Sequence, residues 1–137
     1  MEVKFGSYTI SDQKERLDID AIAGYLAKSY WANNRSQETI AKSIENSLCY
    51  GVYDAEKQIA FARVITDDAT TYYLCDVIIN EAYRGQGIGT NLVQTIVESE
   101  RLRGLNGILG TLDAHGLYEK FGFERVPDRF MRRASNG

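Results

Sequence analysis

The chain has 137 residues, of which 44% are hydrophobic and 26% charged, the balance of a soluble globular protein with one core. Its net charge of -3 at pH 7 is the wrong sign for a nucleic-acid backbone, which needs a basic face, so nucleic acid is not an expected partner. Nothing in the sequence is apolar for long enough to span a membrane, and the opening MEVKFGSYTI lacks the apolar run of a secretory signal, so the expected setting is the cytoplasm.

The first strand is expected over 3–10, VKFGSYTI, from its loose alternation of β-formers. Asp18 or Asp20 can cap a helix through Ile22, Tyr25, Leu26 and Ser29, where apolar positions recur at three and four. Tyr30, Trp31, Ala32, Asn33 and Asn34 interrupt it. Ser36 opens a second helix with Glu38 in its first turn and an Ile40, Ile44, Leu48 stripe. Residues 48–53 and 58–66 read as a hairpin around a turn at 54–57. Residues 71–79, TYYLCDVII, read as a strand buried on both faces near its end. A helix carries Ile88, Leu92, Val93, Ile96 and Val97 and ends at Gly104. A strand over 105–112 follows, then a short helix over 113–121 with Asp113 as its cap and Gly122 behind it. Residues 123–126 and 130–132 suggest final short strands.

This order predicts an α/β (α+β) fold. It is a twisted, mostly antiparallel mixed sheet of six or seven strands, with one βαβ crossover and about four helices on both faces. One proline, no serine-rich run and no repeat give no linker, so residues 1–137 read as one domain. Cys49 and Cys75 sit in apolar runs without metal-ligand spacing, as buried free thiols do, and no metal is expected. The basic end, Arg125, Arg129, Arg132 and Arg133, reads as a solvated tail.

The chemistry concentrates in YRGQGIGTNL, residues 83–92. Gly85, Gly87 and Gly89 alternate at the mouth of a helix. The first N–H groups of a helix lack internal partners and sit at the positive end of its dipole, and glycine removes the side chains that would keep an anion away. Arg84 adds charge beside them. A diphosphate suits that corner, and packing alone is the other reading. A dinucleotide turn is excluded because the third glycine comes one residue early, and a P-loop is excluded for want of its lysine.

With LYEKFGF at 117–123 about thirty residues downstream, the pattern resembles the GNAT N-acetyltransferase superfamily, whose acetyl-coenzyme A motif R/Q-x-x-G-x-G/A is matched closely by the run from Arg84. The likeness is strongest from Tyr72 to Phe123. SYWA (29–32), NSLCYGVYD (46–54) and DAHGLYEKFGF (113–123) are similar to a bacterial subgroup of small acetyltransferases.

The resemblance implies acetyl-CoA as co-substrate. Its diphosphate would lie on Arg84, Gly85, Gln86, Gly87, Ile88, Gly89 and Thr90, and its pantetheine arm along the edge of Val77, Ile78 and Ile79. For that, the 71–79 strand must splay from the 105–112 strand. Tyr118 matches the family's acid for the leaving thiolate and also touches the coenzyme. Thr111 stands where many members have an asparagine. The base is left open. Asp76 is the strand carboxylate that would serve, or else a structural one. His115 has the best-matched chemistry, or is an exposed helix residue. Tyr30 and Trp31, with Tyr73 and His115, are candidates for the acceptor pocket, or the aromatic pair covers the core. The implied reaction is direct attack of a primary amine on acetyl-CoA. The acidic balance and nine tyrosines favour a cationic acceptor, small molecule or peptide. The alternative is a non-catalytic acyl-coenzyme A binding module. Dimers are frequent in the family, so a homodimer is one implied assembly.

Overall fold

Gly6 adopts a positive φ of 54°, a conformation that costs glycine little. The chain therefore folds back between β1 (Glu2–Phe5) and β2 (Tyr8–Ser11), which pair antiparallel with Phe5 opposite Tyr8. The single first strand expected over 3–10 is thus a hairpin, its two-residue Gly-Ser turn hidden in a run of β-formers. The structure is a computed structural model and describes residues 1–135.

Asp18 caps α1 (Ile19–Ala27) by accepting from the Ala21 N–H at 3.1 Å, and Ser36 caps α2 (Gln37–Glu45) by accepting from the Thr39 N–H at 3.1 Å. Each cap satisfies a donor that the helix leaves unpaired. Ile22 and Leu26 of α1 and Ile40 and Ile44 of α2 bury one face of each helix against Cys49 and Phe61 of the sheet. Each aliphatic side chain so buried contributes about 1.5–3 kcal/mol before conformational entropy is counted.

The sheet continues with β3 (Leu48–Asp54), β4 (Lys57–Thr66) and β5 (Thr71–Ile79), each antiparallel to its predecessor. Helix α3 (Ile88–Val97) then crosses over, and β6 (Asn106–Ile108) returns parallel to β5. The six strands lie in the order β1-β2-β3-β4-β5-β6. Ile88, Leu92, Val93 and Ile96 of α3 pack with Ile10, Val52, Val64 and Leu74 in a second core on the face opposite α1 and α2. Helices on both faces of a mixed sheet is the architecture expected from the sequence. The last helix, α4 (His115–Glu119), is one turn long.

Four expectations change in detail. Helix α3 stops at Val97 rather than near Gly104, where the Ser99 hydroxyl donates to the Ile96 carbonyl at 2.7 Å and the chain leaves in a series of turns. Strand β6 is three residues long rather than eight, since Gly107 and Gly110 weaken a strand there. Asp113 does not cap α4; the Thr111 hydroxyl accepts from the Ala114 N–H at 3.0 Å instead. Residues 123–132 form no strand, because Pro127 removes a ladder donor and Asp128 is turned to a φ of 66°. Among the described residues no helix is long and apolar enough to cross a membrane.

Candidate active site

Strand β5 carries a bulge. Phe61 pairs with Ile78 but Arg63 pairs with Cys75, so Asp76 and Val77 together oppose Ala62. Asp76 takes up the extra residue at a φ of 52°. A bulge bends its strand and raises the local twist, and β5 parts from its neighbour just before it. The two pair only at Thr71–Asn106, Tyr72–Gly107 and Tyr73–Ile108. From Leu74 to Ile79, among the described residues, β5 is paired on the β4 side alone. The splay that an edge at Val77, Ile78 and Ile79 requires is present.

The glycine corner follows a 3-10 turn at Glu81–Tyr83. Gly85 and Gly87 have φ of 82° and 78°, and Gly87 is the N-cap of α3. Within the described residues no acceptor pairs with the N–H groups of Gly85, Gln86, Gly87, Ile88, Gly89 or Thr90; the first intrahelical bond is Asn91 N–H to the Gly87 carbonyl at 3.0 Å. Arg84, Gly85, Gln86 and Gly87 are exposed. A Cβ on Gly89 would meet Ile79 Cδ1 at 3.1 Å, so the helix mouth sits close against the open strand. Unpaired amides, small residues and a positive dipole fit a diphosphate. The loop is braced from across the sheet: the Tyr8 hydroxyl donates to Gln86 Oε1, and the Tyr83 hydroxyl donates to Asp54 Oδ2 at 2.8 Å.

Asp76 is held on both of its carboxylate oxygens. Its side chain is 1% exposed, and its Oδ2 accepts from Arg35 Nη1 at 2.8 Å and Arg63 Nε at 2.9 Å. Its Oδ1 accepts from Trp31 Nε1 at 2.9 Å. Burial alone would push this carboxyl up, but the bonds and charges of Arg35 and Arg63 outweigh it and hold the pKa below the usual carboxylate value. The structural alternative for Asp76 is the one the geometry supports. Sequence reasoning missed both arginines. The available signal was Arg63, a charge inside the buried strand QIAFARVIT, which needs a partner.

The aromatic pair stands at the surface rather than over the core. Tyr30 and Trp31 are exposed and meet edge to face with ring centroids 5.0 Å apart. The Tyr30 hydroxyl accepts from the Leu112 N–H at 3.3 Å, which ties the loop between α1 and α2 to the loop entering α4. Tyr73, also exposed, lies within the fields of Cys75, Asp76, Arg63 and Arg35. Burial pushes the Cys75 thiol up to about 11 against the pull of Arg63, so it stays protonated at neutral pH and is a poor nucleophile.

Tyr118 is 9% exposed and packs edge to face on Phe123 at 6.0 Å. Its hydroxyl has no hydrogen-bond partner among the described residues. Burial first, then the nearby Tyr30 and Asp113, push its pKa up to about 12. Tyr118, His115 and Thr111 line an open cleft of about 1000 Å³ between β6 and the unpaired C-terminal segment. Residues 77–79 and 84–90 do not line it. The glycine corner stands beside the β5 edge, and Tyr118 shares one buried cluster with Ile88 of α3, against which Val77 and Ile79 of that edge pack.

Residues 45–125 match the family profile described as an acetyltransferase (GNAT) domain. A Xanthomonas campestris pv. campestris structure assigned to the GNAT family is 34% identical, with a TM-score of 0.91 and 96% of each chain covered. The chloroplastic GCN5-related N-acetyltransferase 2 of Arabidopsis thaliana is 30% identical over 78% of this chain and 43% of its own length. A Gibberella zeae protein assigned as an acetyltransferase is 26% identical over 69% of this chain and 64% of its own. The chain thus spans about half the length of the curated relatives it matches. On the profile match and the fold, the chain belongs to the GNAT acetyltransferase family.

Proposed function

We propose that the chain transfers an acetyl group from acetyl-CoA to a primary amine by direct attack. The observation that carries this reading is the row of unpaired amides from Gly85 to Thr90, set against the open edge of β5. With Arg84, those amides would hold the diphosphate. Val77, Ile78 and Ile79 would pair with the amides of the pantetheine arm as an added strand does. Bound in this way, the coenzyme supplies an activated acyl group as a thioester.

The remaining work falls to side chains. A leaving thiolate, ordinarily near pKa ~8.5, needs a proton. Tyr118 keeps its proton at neutral pH, and its hydroxyl has no competing partner among the described residues, so it is the donor. The attacking amine, near pKa ~10 when free, must first lose a proton. Asp76 is buried and engaged by three donors, which favours His115, on the same cleft as Tyr118, as the candidate acceptor of that proton. Protonated Cys75 supports attack by the amine itself rather than through an acyl-cysteine. Tyr30, Trp31 and Tyr73 would wall the acceptor pocket.

The test is a screen of amines for release of free coenzyme thiol from acetyl-CoA. Amine-dependent release is expected. Coenzyme binding by calorimetry with no release from any amine would replace the reading with a non-catalytic acyl-coenzyme A binding module; no heat of binding would remove both.

A further inference from the structure

The whole chain is acidic, yet the face of β5 that meets α1 and α2 is not. There, two guanidinium groups converge on a single carboxylate oxygen, Asp76 Oδ2. Both arginines and Asp76 act on Tyr73 and Cys75. Two cations and one anion leave one positive charge in excess at a partly dehydrated surface. Asp76 cannot neutralise both arginines, and an unbalanced charge near a low-dielectric interior attracts a counter-ion. Arg63 is nearly buried and also donates to Ser47 Oγ at 3.1 Å. Arg35 differs: its side chain is 27% exposed, and it bonds Asp76 through Nη1. Its Nε and Nη2 have no acceptor among the described residues. A guanidinium fork with an open edge matches a carboxylate or phosphate group.

The position of that open edge gives it meaning. Arg35 follows Trp31 in the loop joining α1 and α2, and Trp31 and Arg35 bind the two oxygens of Asp76. Trp31 is 40% exposed and carries Tyr30 against it. On the far side, Tyr30 binds the Leu112 N–H, and the Asp113 carboxylate lies close enough to act on Tyr118. The surface thus runs from a cationic end at Arg35, past exposed aromatic rings, to an anionic end at Asp113 beside Tyr118.

We propose that Arg35, held by Asp76, is an anion subsite of the acceptor pocket, so that the acceptor is a small amine carrying a carboxylate or phosphate group at its other end. This rests on the acetyl-transfer reading and narrows its substrate class. The amine end lies toward Tyr118 and the acidic end toward Arg35. A simple alkylamine leaves the excess charge unmet.

Trp31 is the only tryptophan in the chain, so its fluorescence reads occupancy of this surface without turnover. The probes are butylamine, 4-aminobutyrate and 3-aminopropyl phosphate, each titrated against the full chain with coenzyme A present. The two anionic amines are expected to saturate the signal at roughly tenfold lower concentration than butylamine, since a charge-assisted bond is added. The tighter of the two tells which oxyacid group the site takes. In Arg35→Gln the preference should collapse, and in Arg35→Lys only part of it should remain, since an ammonium keeps the charge but not the fork. Equal binding of butylamine in the unaltered chain, or no saturable change with either anionic amine, overturns the proposal. So does an undiminished preference in a folded Arg35→Gln chain. Thiol release measured in parallel separates the two readings. Release with butylamine as good as with the anionic amines keeps acetyl transfer and removes the subsite. Selective binding of the anionic amines with no release keeps the subsite and removes the transfer.

Discussion

Trp31 Nε1 donates to Asp76 Oδ1 over 2.9 Å, joining residues 45 positions apart in the chain. One buried carboxylate thereby ties the loop between α1 and α2 to the bulge of β5. Arg35 and Arg63 complete the junction. The aromatic wall of the proposed acceptor pocket is therefore fixed to the strand whose edge would carry the coenzyme.

Asp76→Asn should destabilise the fold by about 3–5 kcal/mol, because it leaves two arginines facing each other without their shared anion. Asparagine tolerates the positive φ at this position, so the effect reports charge rather than backbone. The pH dependence has a definite sign. The Asp76 pKa is lowered in the folded chain from an ordinary 3.8, so its contribution is complete above that value and is lost as pH falls through the lowered one. Denaturant titrations should show stability dropping below about pH 4, with a shallower drop in Asp76→Asn. Equal slopes in the two proteins would show that the carboxylate is not acting as an anion there.

Tyr118→Phe should lower kcat by about a hundredfold or more, in the range of a lost general acid, with little change in the melting temperature. Since burial pushes the Tyr118 pKa up to about 12, the unaltered chain should show no loss of rate from this group up to about pH 10. Unchanged turnover in the phenylalanine variant across the pH range would remove the acid role.

Glycine-to-alanine substitutions should act with opposite signs at two positions. Gly24 lies exposed in the middle of α1 with nothing within 4 Å of an added Cβ, so Gly24→Ala should stabilise by about 0.5–1 kcal/mol. Gly87 has a φ of 78° at the head of α3, where alanine is strained by about 1–2 kcal/mol, and should also raise the KM for acetyl-CoA. Thermal unfolding and coenzyme titration check the pair.

Gly107→Ala should break the β5–β6 junction. An added Cβ would sit 2.3 Å from Cζ of the Tyr72 ring, which is buried in the core and faces Gly107 in the register. Overpacking of this kind costs about 1–3 kcal/mol. Activity should fall with stability, since β6 leads into α4 and Tyr118. A variant with native stability and full turnover would show that the ring moves aside freely.

The core helices and the hairpin of β3 and β4 were legible because their signals are local: caps at Asp18 and Ser36, apolar spacing of three and four, and alternation. The glycine corner was legible for the same reason. What escaped depends on distant partners. Arg63 inside a buried strand signalled a missing partner, but nothing in the sequence showed that Trp31 and Arg35 would join it on Asp76 from other elements. The hairpin at Gly6 was hidden because residues on both sides favour strand. The final strands failed where β-formers were outweighed by Pro127 and by the turn at Asp128.

Among the described residues, three rungs of pairing between β5 and β6 are all that joins the α4 region to the sheet through main-chain bonds between strands. Beyond them the two strands part like the blades of an opened pair of shears, the chain leading on from β6 to Tyr118 and from β5 to the helix mouth at Gly87. A ligand that lies between the blades and bonds to both would brace the molecule as well as react in it. Amide hydrogen exchange in β6 and α4 should then slow when coenzyme is added, far more than in β1 or β2.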